Sequence, residues 1–165
     1  MDARPALIRV ARALRENSLE AILIGNAAAA LHGAPVTTVD FDFLFRKTPA
    51  NLRKLKSVAR ALGAMILKPY YPASDLFRLS AEDESLQLDF MTTIHGIRSY
   101  TLKSRAVDTE LGGERILVAA LSDIIASKRA ANRPRDRAVL HALQATNKEK
   151  KNQPGQDTKN PKTGK

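Results

Sequence analysis

Cysteine is absent from this chain of 165 residues, which excludes a disulfide framework, a thiolate zinc site and a cysteine nucleophile. The longest apolar run, around residues 27–31, is far shorter than the roughly 20 residues that a membrane-spanning helix needs. The N-terminus lacks an uninterrupted apolar signal segment, because Arg9, Arg12 and Arg15 divide it. These absences, together with a length that suits about one domain, predict a soluble cytoplasmic protein with a single core.

Acidic residues are fewer than basic ones: the chain has 17 aspartates and glutamates and 27 lysines and arginines, which gives a net charge of +10. Residues 148–165 hold six lysines against Glu149 and Asp157, a net charge of +4, and 147–165 contain no Leu, Ile, Val or aromatic residue. Such a segment cannot bury enough apolar surface to order itself. We therefore predict a domain over 1–147 and a disordered basic tail over 148–165. The positive charge favours an anionic partner such as RNA, with simple solubility as the alternative.

The hydrophobic pattern predicts an α+β fold, a mixed β-sheet flanked by helices rather than a doubly wound sheet. The elements are expected in the following order: a helix over 4–16, a strand over 21–24, a helix capped by Asn26 and ending at 32–33, a strand over 36–45, a helix from Thr48-Pro49 to Gly63, a short strand over 65–67, a hairpin of 76–80 with 85–91, a hairpin turning at 112–113, a helix capped by Ser122 and a last helix from Pro134.

Paired acidic residues stand on the strand predicted around residue 40. Because successive side chains of a strand face opposite sides, Val39, Phe41 and Phe43 can enter the core while Asp40 and Asp42 share the other face. Two carboxylates at this spacing repel each other unless a cation lies between them. A bare D-x-D on an amphipathic strand is also common without any metal, so the pair alone leaves both interpretations open.

A third carboxylate, Asp89, stands on the polar face of the strand over 86–90. If this strand neighbours the first, Asp40, Asp42 and Asp89 converge. Magnesium prefers a few carboxylate oxygens together with substrate phosphates, and three converging aspartates are the usual scaffold of two-metal phosphoryl transfer. Upstream, Gly25 lies at the junction of a buried strand and a helix, where a phosphate can approach exposed amide groups.

With these motifs in this order, the sequence resembles the DNA polymerase beta-like nucleotidyltransferases, and among them the small AbiEii-type proteins of bacterial toxin–antitoxin and phage-defence loci. The resemblance covers residues 6–143. It is carried by Gly25-Asn26, His32-Gly33, Asp40 and Asp42, Asp89, Leu111 to Ile116, Leu121 to Ala131, and Arg133-Pro134-Arg135-Asp136.

The resemblance implies a nucleotidyltransferase that moves a nucleotidyl group from an NTP to a hydroxyl with Mg²⁺ or Mn²⁺ and releases pyrophosphate. Asp40, Asp42 and Asp89 would bind the metals, and Asp89 would help to deprotonate the acceptor. Lys128 would face the triphosphate, with a solvated helix lysine as the alternative. Asp136, counted with the catalytic set, would orient Lys128 or cap the last helix.

The nucleotide would lie beside Gly25 and Asn26. The acceptor could be an RNA 3′ end, a protein side chain or a small molecule, and the basic charge favours RNA. Relatives of this kind act as toxins, so a cognate antitoxin is an expected partner. No membrane partner is expected.

One residue departs from the family pattern. Asn26 stands where relatives have a small Gly or Ser beside the phosphates; its amide can still donate a hydrogen bond, but the change can also mark lost catalysis. The alternative function is therefore a degenerate module that binds RNA, nucleotide or a partner protein.

Three further side chains have predicted roles. Arg78 is expected to pair with a carboxylate, with phosphate binding as the alternative. Tyr70 and Tyr71 could stack on a base or simply pack.

Overall fold

The computed structural model describes residues 2–38, 40–67, 75–82, 85–95 and 97–153, without the side chains of 98–100. Val39, Tyr70, Tyr71 and residues 154–165 lie outside the described residues. The elements are α1 (Arg4–Glu16), β1 (Ala21–Ile24), α2 (Gly25–Leu31), β2 (Asp40–Phe45), α3 (Pro49–Ala61), β3 (Ala64–Leu67), β4 (Phe77–Ala81), β5 (Gln87–Met91), β6 (Thr93–Ile94), β7 (Ile97–Arg98), α4 (Ser99–Lys103), β8 (Val107–Leu111), β9 (Glu114–Val118), α5 (Leu121–Ala131) and α6 (Pro134–Asn152).

Seven strands form one sheet in the order β3-β4-β5-β2-β1-β9-β8, and β6 pairs with β7 in a separate ribbon. The sheet is mixed: β2 is antiparallel to β1 but parallel to β5, and β1 is parallel to β9. The predicted α+β class is confirmed, as are both hairpins. No helix in the described ranges combines the length and hydropathy that crossing a membrane requires.

The apolar face of the sheet fixes the relative position of its central strands. Phe43 on β2 and Phe90 on β5 stack with ring centroids 5.1 Å apart, and Phe45 packs edge-on against Phe90 at 5.8 Å. Leu7, Val10 and the other buried residues of α1 belong to the same core. Because side chains alternate along a strand, this packing also sets the positions of the carboxylates on the opposite face.

Two predicted helix caps are wrong. The helix α2 begins at Gly25, directly after the extended residue Ile24, so Asn26 lies inside its first turn and does not cap it. Likewise α5 begins at Leu121 after Ala120, with no side-chain cap from Ser122. The buried strand β1 runs directly into α2, and two residues separate β9 from α5, so the ends of these strands rather than polar side chains set where the helices begin.

The strand β2 begins at Asp40 instead of at residue 36. Local hydrogen bonds replace the ladder before it: the N–H of Val36 donates to Ala34 O at 2.8 Å, and Thr38 Oγ1 accepts from the N–H of Asp40 at 3.2 Å. Such short-range bonds compete with strand pairing. The paired aspartates therefore stand at the very start of the strand.

The last helix is longer than the pattern predicts. It continues to Asn152, so residues 148–152 of the predicted tail are helical. Lysine is a good helix former, and Lys150 Nζ donates a hydrogen bond to His32 Nδ1 at 2.9 Å, which anchors this end of α6. A tail that is disordered from residue 154 onward stays a prediction.

Candidate active site

A cavity of about 600 Å³ opens beside the start of β2 and is bordered by β4, β5, the β1–α2 junction, α5 and α6. It collects residues that are far apart in the sequence. All seven predicted site residues line it: Gly25, Asn26, Asp40, Asp42, Asp89, Lys128 and Asp136.

The parallel pairing of β2 with β5 sets Asp42 directly opposite Asp89. Asp40 is exposed at the start of β2, Asp42 is half-buried and Asp89 is buried. Burial, followed by the negative charges of Asp89 and Asp40, raises the pKa of Asp42 to about 6, although Lys128 and Arg135 oppose the shift. The sheet therefore holds ionised Asp42 in an unfavourable environment that a cation would relieve.

Arg78 occupies both oxygens of Asp89. Its Nε donates to Oδ1 at 2.7 Å and its Nη2 donates to Oδ2 at 2.8 Å. The two residues are cross-strand neighbours, Arg78 on β4 and Asp89 on β5. The predicted pairing of Arg78 with a carboxylate is confirmed. Among the residues that the structure describes, no group of three or more His, Asp or Glu side chains could hold a metal ion. Asp40, Asp42 and Asp89 nevertheless line one cavity, and a metal site on these three carboxylates stays a prediction.

Glycine at position 25 is required by the carboxylate beside it. Gly25 has a φ of +70°, and a Cβ on it would lie 2.7 Å from Asp42 Oδ2. The next residue, Asn26, has a buried Oδ1 atom without a hydrogen-bond partner in the described structure. A buried acceptor without a donor is costly, so this edge of the cavity suits a ligand that donates a hydrogen bond or carries positive charge.

Asp136 connects the two helices that border the cavity. It is 1% exposed and accepts from Arg133 Nε at 2.6 Å and from the backbone N–H of Arg133 at 3.2 Å, while Lys128 Nζ lies 3.5 Å from its Oδ1. Asp136 therefore caps α6 and contacts Lys128, and a role in orienting Lys128 for catalysis stays a prediction. Burial raises the pKa of Asp136, but the hydrogen bonds and positive charge of Arg133, together with the charge of Lys128, hold that pKa below its usual value.

Lys128 is not a solvated helix lysine, since its side chain is only 12% exposed. Burial lowers the pKa of its ammonium group, although Asp136 and Asp42 offset part of the shift. Because Asp136 already holds this ammonium group in a site with little water, little rearrangement of solvent or side chains is needed when a second anion binds to it. Its position therefore suits a phosphate ligand in the cavity.

Sequence reasoning assigned no role to Arg133 or Arg135, yet both line the cavity. They flank Pro134, the first residue of α6, after Asn132 turns the chain with a φ of +49°. A proline at the first helical position marks a helix start, so the arginines on either side could have been assigned to one helix end. Only the packing of α5 on α6 turns that end toward the aspartates.

His32 has a structural role at the end of α2. Its Nε2–H donates to Ala119 O at 2.7 Å while Nδ1 accepts from Lys150, which fixes the tautomer. Burial lowers the pKa of His32. The ring therefore joins α2, the end of β9 and the last helix.

Comparison with known proteins agrees with this geometry. The profile of a family described as "Nucleotidyl transferase of unknown function (DUF2204)" matches residues 3–157. No curated protein matches the chain.

Several solved structures are similar. The lincosamide antibiotic adenylyltransferase LnuA, lincomycin-bound, superposes with a TM-score of 0.62 at 12% identity, over 85% of this chain and 95% of that one. ANT(2'')-Ia in complex with adenylyl-2''-tobramycin gives 0.61 at 15% identity, over 89% and 90%. A Thermotoga maritima protein assigned as a nucleotidyltransferase gives 0.58 at 15% identity, over 86% and 91%.

At such identities these structures establish the fold alone. The family profile spans nearly the whole chain. Of the residues that carried the resemblance, the aspartates, Gly25-Asn26, Lys128 and the start of the last helix line one cavity, whereas His32-Gly33 and residues 111–116 do not. The AbiEii-type subfamily stays a prediction. The chain belongs to the nucleotidyl transferase family DUF2204, and its fold is that of the antibiotic adenylyltransferases.

Proposed function

We propose that this enzyme transfers a nucleotidyl group from an NTP to a hydroxyl acceptor with the help of Mg²⁺ or Mn²⁺. The observation that carries the proposal is the cavity itself. Its strand side presents Asp40 and Asp42, while its helix side presents Lys128, Arg133 and Arg135. A cation and a triphosphate together need such a division of charge.

Asp40 and Asp42 are the residues that would hold a divalent cation. The raised pKa of Asp42 supports this assignment, because a cation between the two carboxylates would remove the repulsion that contributes to the shift. When bound, such an ion lowers the pKa of an attacking hydroxyl and neutralises charge on the phosphates. Asp89 fits a ligand role poorly while Arg78 holds both of its oxygens.

The triphosphate would meet the cationic side of the cavity. Lys128 would supply a point charge, and Asp136 would keep its ammonium group in place. Arg133 and Arg135 line the same cavity, but Arg133 already donates a hydrogen bond to Asp136. Arg135 is therefore the better candidate of the two to bind a phosphate. Gly25 and Asn26 would border the nucleotide. Because residue 25 has no side chain, nothing at that position would separate the nucleotide from Asp42.

An RNA 3′ end is the acceptor that the charge of the chain favours, since a net charge of +10 attracts polyanions of any sequence. A small hydroxyl compound is the competing acceptor, because two proteins of similar fold were solved with lincomycin and with adenylyl-2''-tobramycin. An assay with both kinds of acceptor separates them.

A toxin role, with a cognate antitoxin as partner, and a cytoplasmic location complete the proposal, and they rest on the resemblance and the composition. Expression of the wild-type chain in a bacterium should slow growth, and expression of Asp40→Ala/Asp42→Ala should not. Equal growth of the two strains would remove the toxin role but leave the enzyme activity open to direct assay.

The direct test incubates the full chain with each labelled NTP, Mg²⁺ or Mn²⁺, and either total RNA or a panel of hydroxylated antibiotics. We expect label in RNA with release of pyrophosphate, and loss of both in Asp40→Ala/Asp42→Ala. The matched control is Asp108→Ala, which removes an exposed carboxylate that is paired with Arg115 and does not line the cavity. If the double variant incorporates as much label as the wild type, the proposed site is wrong.

The alternative is a module with the same fold that binds nucleotide or RNA without turnover. The pairing of Arg78 with Asp89 favours it, because it removes the third carboxylate that the resemblance requires. NTP binding without pyrophosphate release, whichever acceptor is added, would establish this alternative.

A further inference from the structure

We infer that Arg78 is a built-in counter-cation of Asp89, so that the cavity holds a single divalent cation, on Asp40 and Asp42, rather than two. This inference rests on the proposed function, which places a cation in the cavity. It concerns the number of ions and the residue that replaces one of them.

The geometry places three charges in a row across the sheet. Arg78 on β4 is the register partner of Asp89 on β5, and Asp89 is the register partner of Asp42 on β2. A guanidinium therefore lies on the side of Asp89 that faces away from Asp42. All three residues line the same cavity.

The contact between Arg78 and Asp89 has the form of a stable ion pair. Two parallel hydrogen bonds, 2.7 and 2.8 Å long, join the fork of the guanidinium to both carboxylate oxygens. The carboxylate is 12% exposed, and the arginine side chain is 43% exposed. Removing one partner from such a pair leaves an uncompensated charge in a poorly solvated place, so the pair should persist when ligands enter.

Charge counting gives the consequence for metal binding. With Asp89 neutralised, the strand side of the cavity presents the charges of Asp40 and Asp42 alone, enough for one divalent ion together with substrate phosphates. A second ion would have to expel Arg78 from Asp89. The positive charge that a second metal brings to such sites is here already supplied by a side chain.

The test counts Mn²⁺ ions bound to the full chain in the absence of nucleotide, from the free Mn²⁺ signal in electron paramagnetic resonance. We expect one ion per wild-type chain. Asp42→Asn should weaken binding by more than about tenfold, because it removes a direct ligand. Arg115→Met, which removes an arginine from an exposed ion pair on β9, is the matched control and should bind as the wild type does.

The decisive variant is Arg78→Met/Asp89→Asn. It removes both charges of the pair together, so it neither leaves a buried charge nor changes the net charge of the cavity. We expect it to bind one ion with an affinity within about threefold of the wild type, whereas loss of a true ligand costs tenfold or more. Arg78→Met alone should gain a second ion, since Asp89 is then released. Circular dichroism would verify that each variant is folded.

A loss of Mn²⁺ affinity in the double variant as large as in Asp42→Asn would overturn the inference, as would two ions, or none, on the wild-type chain. Failure of the proposed function looks different. One bound ion without turnover of any NTP would leave Arg78 in its role and remove the enzyme activity. Turnover of an NTP with two bound ions would support the enzyme activity and overturn the inferred role of Arg78.

Discussion

Asp42 lies where its ionised carboxylate lowers the stability of the fold. Its pKa of about 6 means that the folded chain holds this carboxylate protonated at pH values where the unfolded chain, with a pKa near 4, is already ionised. Ionised Asp42 therefore destabilises the fold above about pH 6. Because the cause is burial next to two other aspartates, the cost belongs to the site and not to the strand.

We predict that Asp42→Asn abolishes nucleotidyl transfer and yet raises the free energy of unfolding at about pH 7.5 by about 1–3 kcal/mol. The gain should shrink as the pH falls from about 6 towards 4, where the wild-type carboxylate becomes protonated. Urea unfolding of both chains across this pH range measures the effect. If Asp42→Asn were less stable than the wild type at pH 7.5, the conclusion that ionised Asp42 destabilises the fold would be contradicted.

Gly25 offers a second test at the scale of one residue. Both Gly25 and Gly63 have left-handed backbone angles, with φ of +70° and +62°, but a Cβ meets Asp42 at the first position and nothing within 4 Å at the second. Gly63→Ala should cost about 1–2 kcal/mol of stability from backbone strain alone. Gly25→Ala should carry the same strain and in addition displace Asp42.

The readout that separates the two glycine variants is ligand binding. We expect Gly63→Ala to bind NTP and Mn²⁺ as the wild type does, and Gly25→Ala to lose affinity for both by about tenfold or more. Isothermal titration on the two folded variants measures this. Equal affinities in both variants would show that the close approach of Gly25 to Asp42 has no part in the site.

At the scale of elements, one carboxylate adds ion pairs between α1 and β9 to the core packing of α1. Arg15 Nε donates to Glu114 Oε2 at 2.7 Å and Arg12 Nε to Oε1 at 3.1 Å, and these bonds lower the pKa of Glu114 to about 2. A carboxylate with a lowered pKa stabilises the fold above its unfolded value, about 4.5, and this stabilisation disappears as the pH falls from there towards 2.

We predict that Glu114→Gln lowers the melting temperature at about pH 7 and that the difference from the wild type disappears between about pH 4.5 and 2. The control is Asp108→Asn on β8, whose ion pair with Arg115 is more than half exposed on both sides and should contribute little. Thermal unfolding followed by circular dichroism decides the matter. A Glu114→Gln difference that stays undiminished down to about pH 2 would assign the effect to packing instead of charge.

Long elements and short ones differ in what their sequence reveals. The helix α1 and the strand β1 have the bounds that their patterns predict, because each places a regular apolar face or run into the core. The two-residue strands β6 and β7 and the short helix α4 had no such signal. Segments of this length show no periodicity, and pairing with neighbours decides their conformation.

At the scale of the whole molecule, the positive charge should govern any association with RNA. Residues 154–165 contribute three lysines and one aspartate, beyond the end of α6. If these lysines contact phosphates, each adds about 0.7 to the slope of log affinity against log salt for a single strand. A chain ending at Gln153 should therefore bind RNA more weakly and with a slope lower by up to about 2.

The matched control keeps the length and removes the charge, with Lys159, Lys162 and Lys165 all changed to Gln. Filter binding of RNA between about 50 and 200 mM salt measures the slope of each chain. Equal slopes for the wild type and both variants would mean that this segment serves solubility, and any RNA contact would then fall to the body of the protein.

The candidate site was largely predictable because its residues stand at positions that local rules single out. The aspartates alternate with core residues on β2 and β5, glycine follows a buried strand, and Asp136 opens the last helix. What could not be predicted was the state of each side chain. Nothing local indicates which carboxylate Arg78 holds, that the charge of Arg135 acts on Asp42, or that Asn26 Oδ1 lacks a hydrogen-bond partner among the described residues.

By itself, then, the sequence determined the α+β class, most element positions and seven residues that line the candidate cavity, since alternation, helical period and breaker residues act over a few positions. Tertiary structure alone decided the strand order, the register of Asp42 on Asp89 and the choice of Arg78 as partner. Those outcomes depend on which distant segments share the core, and the free energies that select among them arise only when the segments pack together.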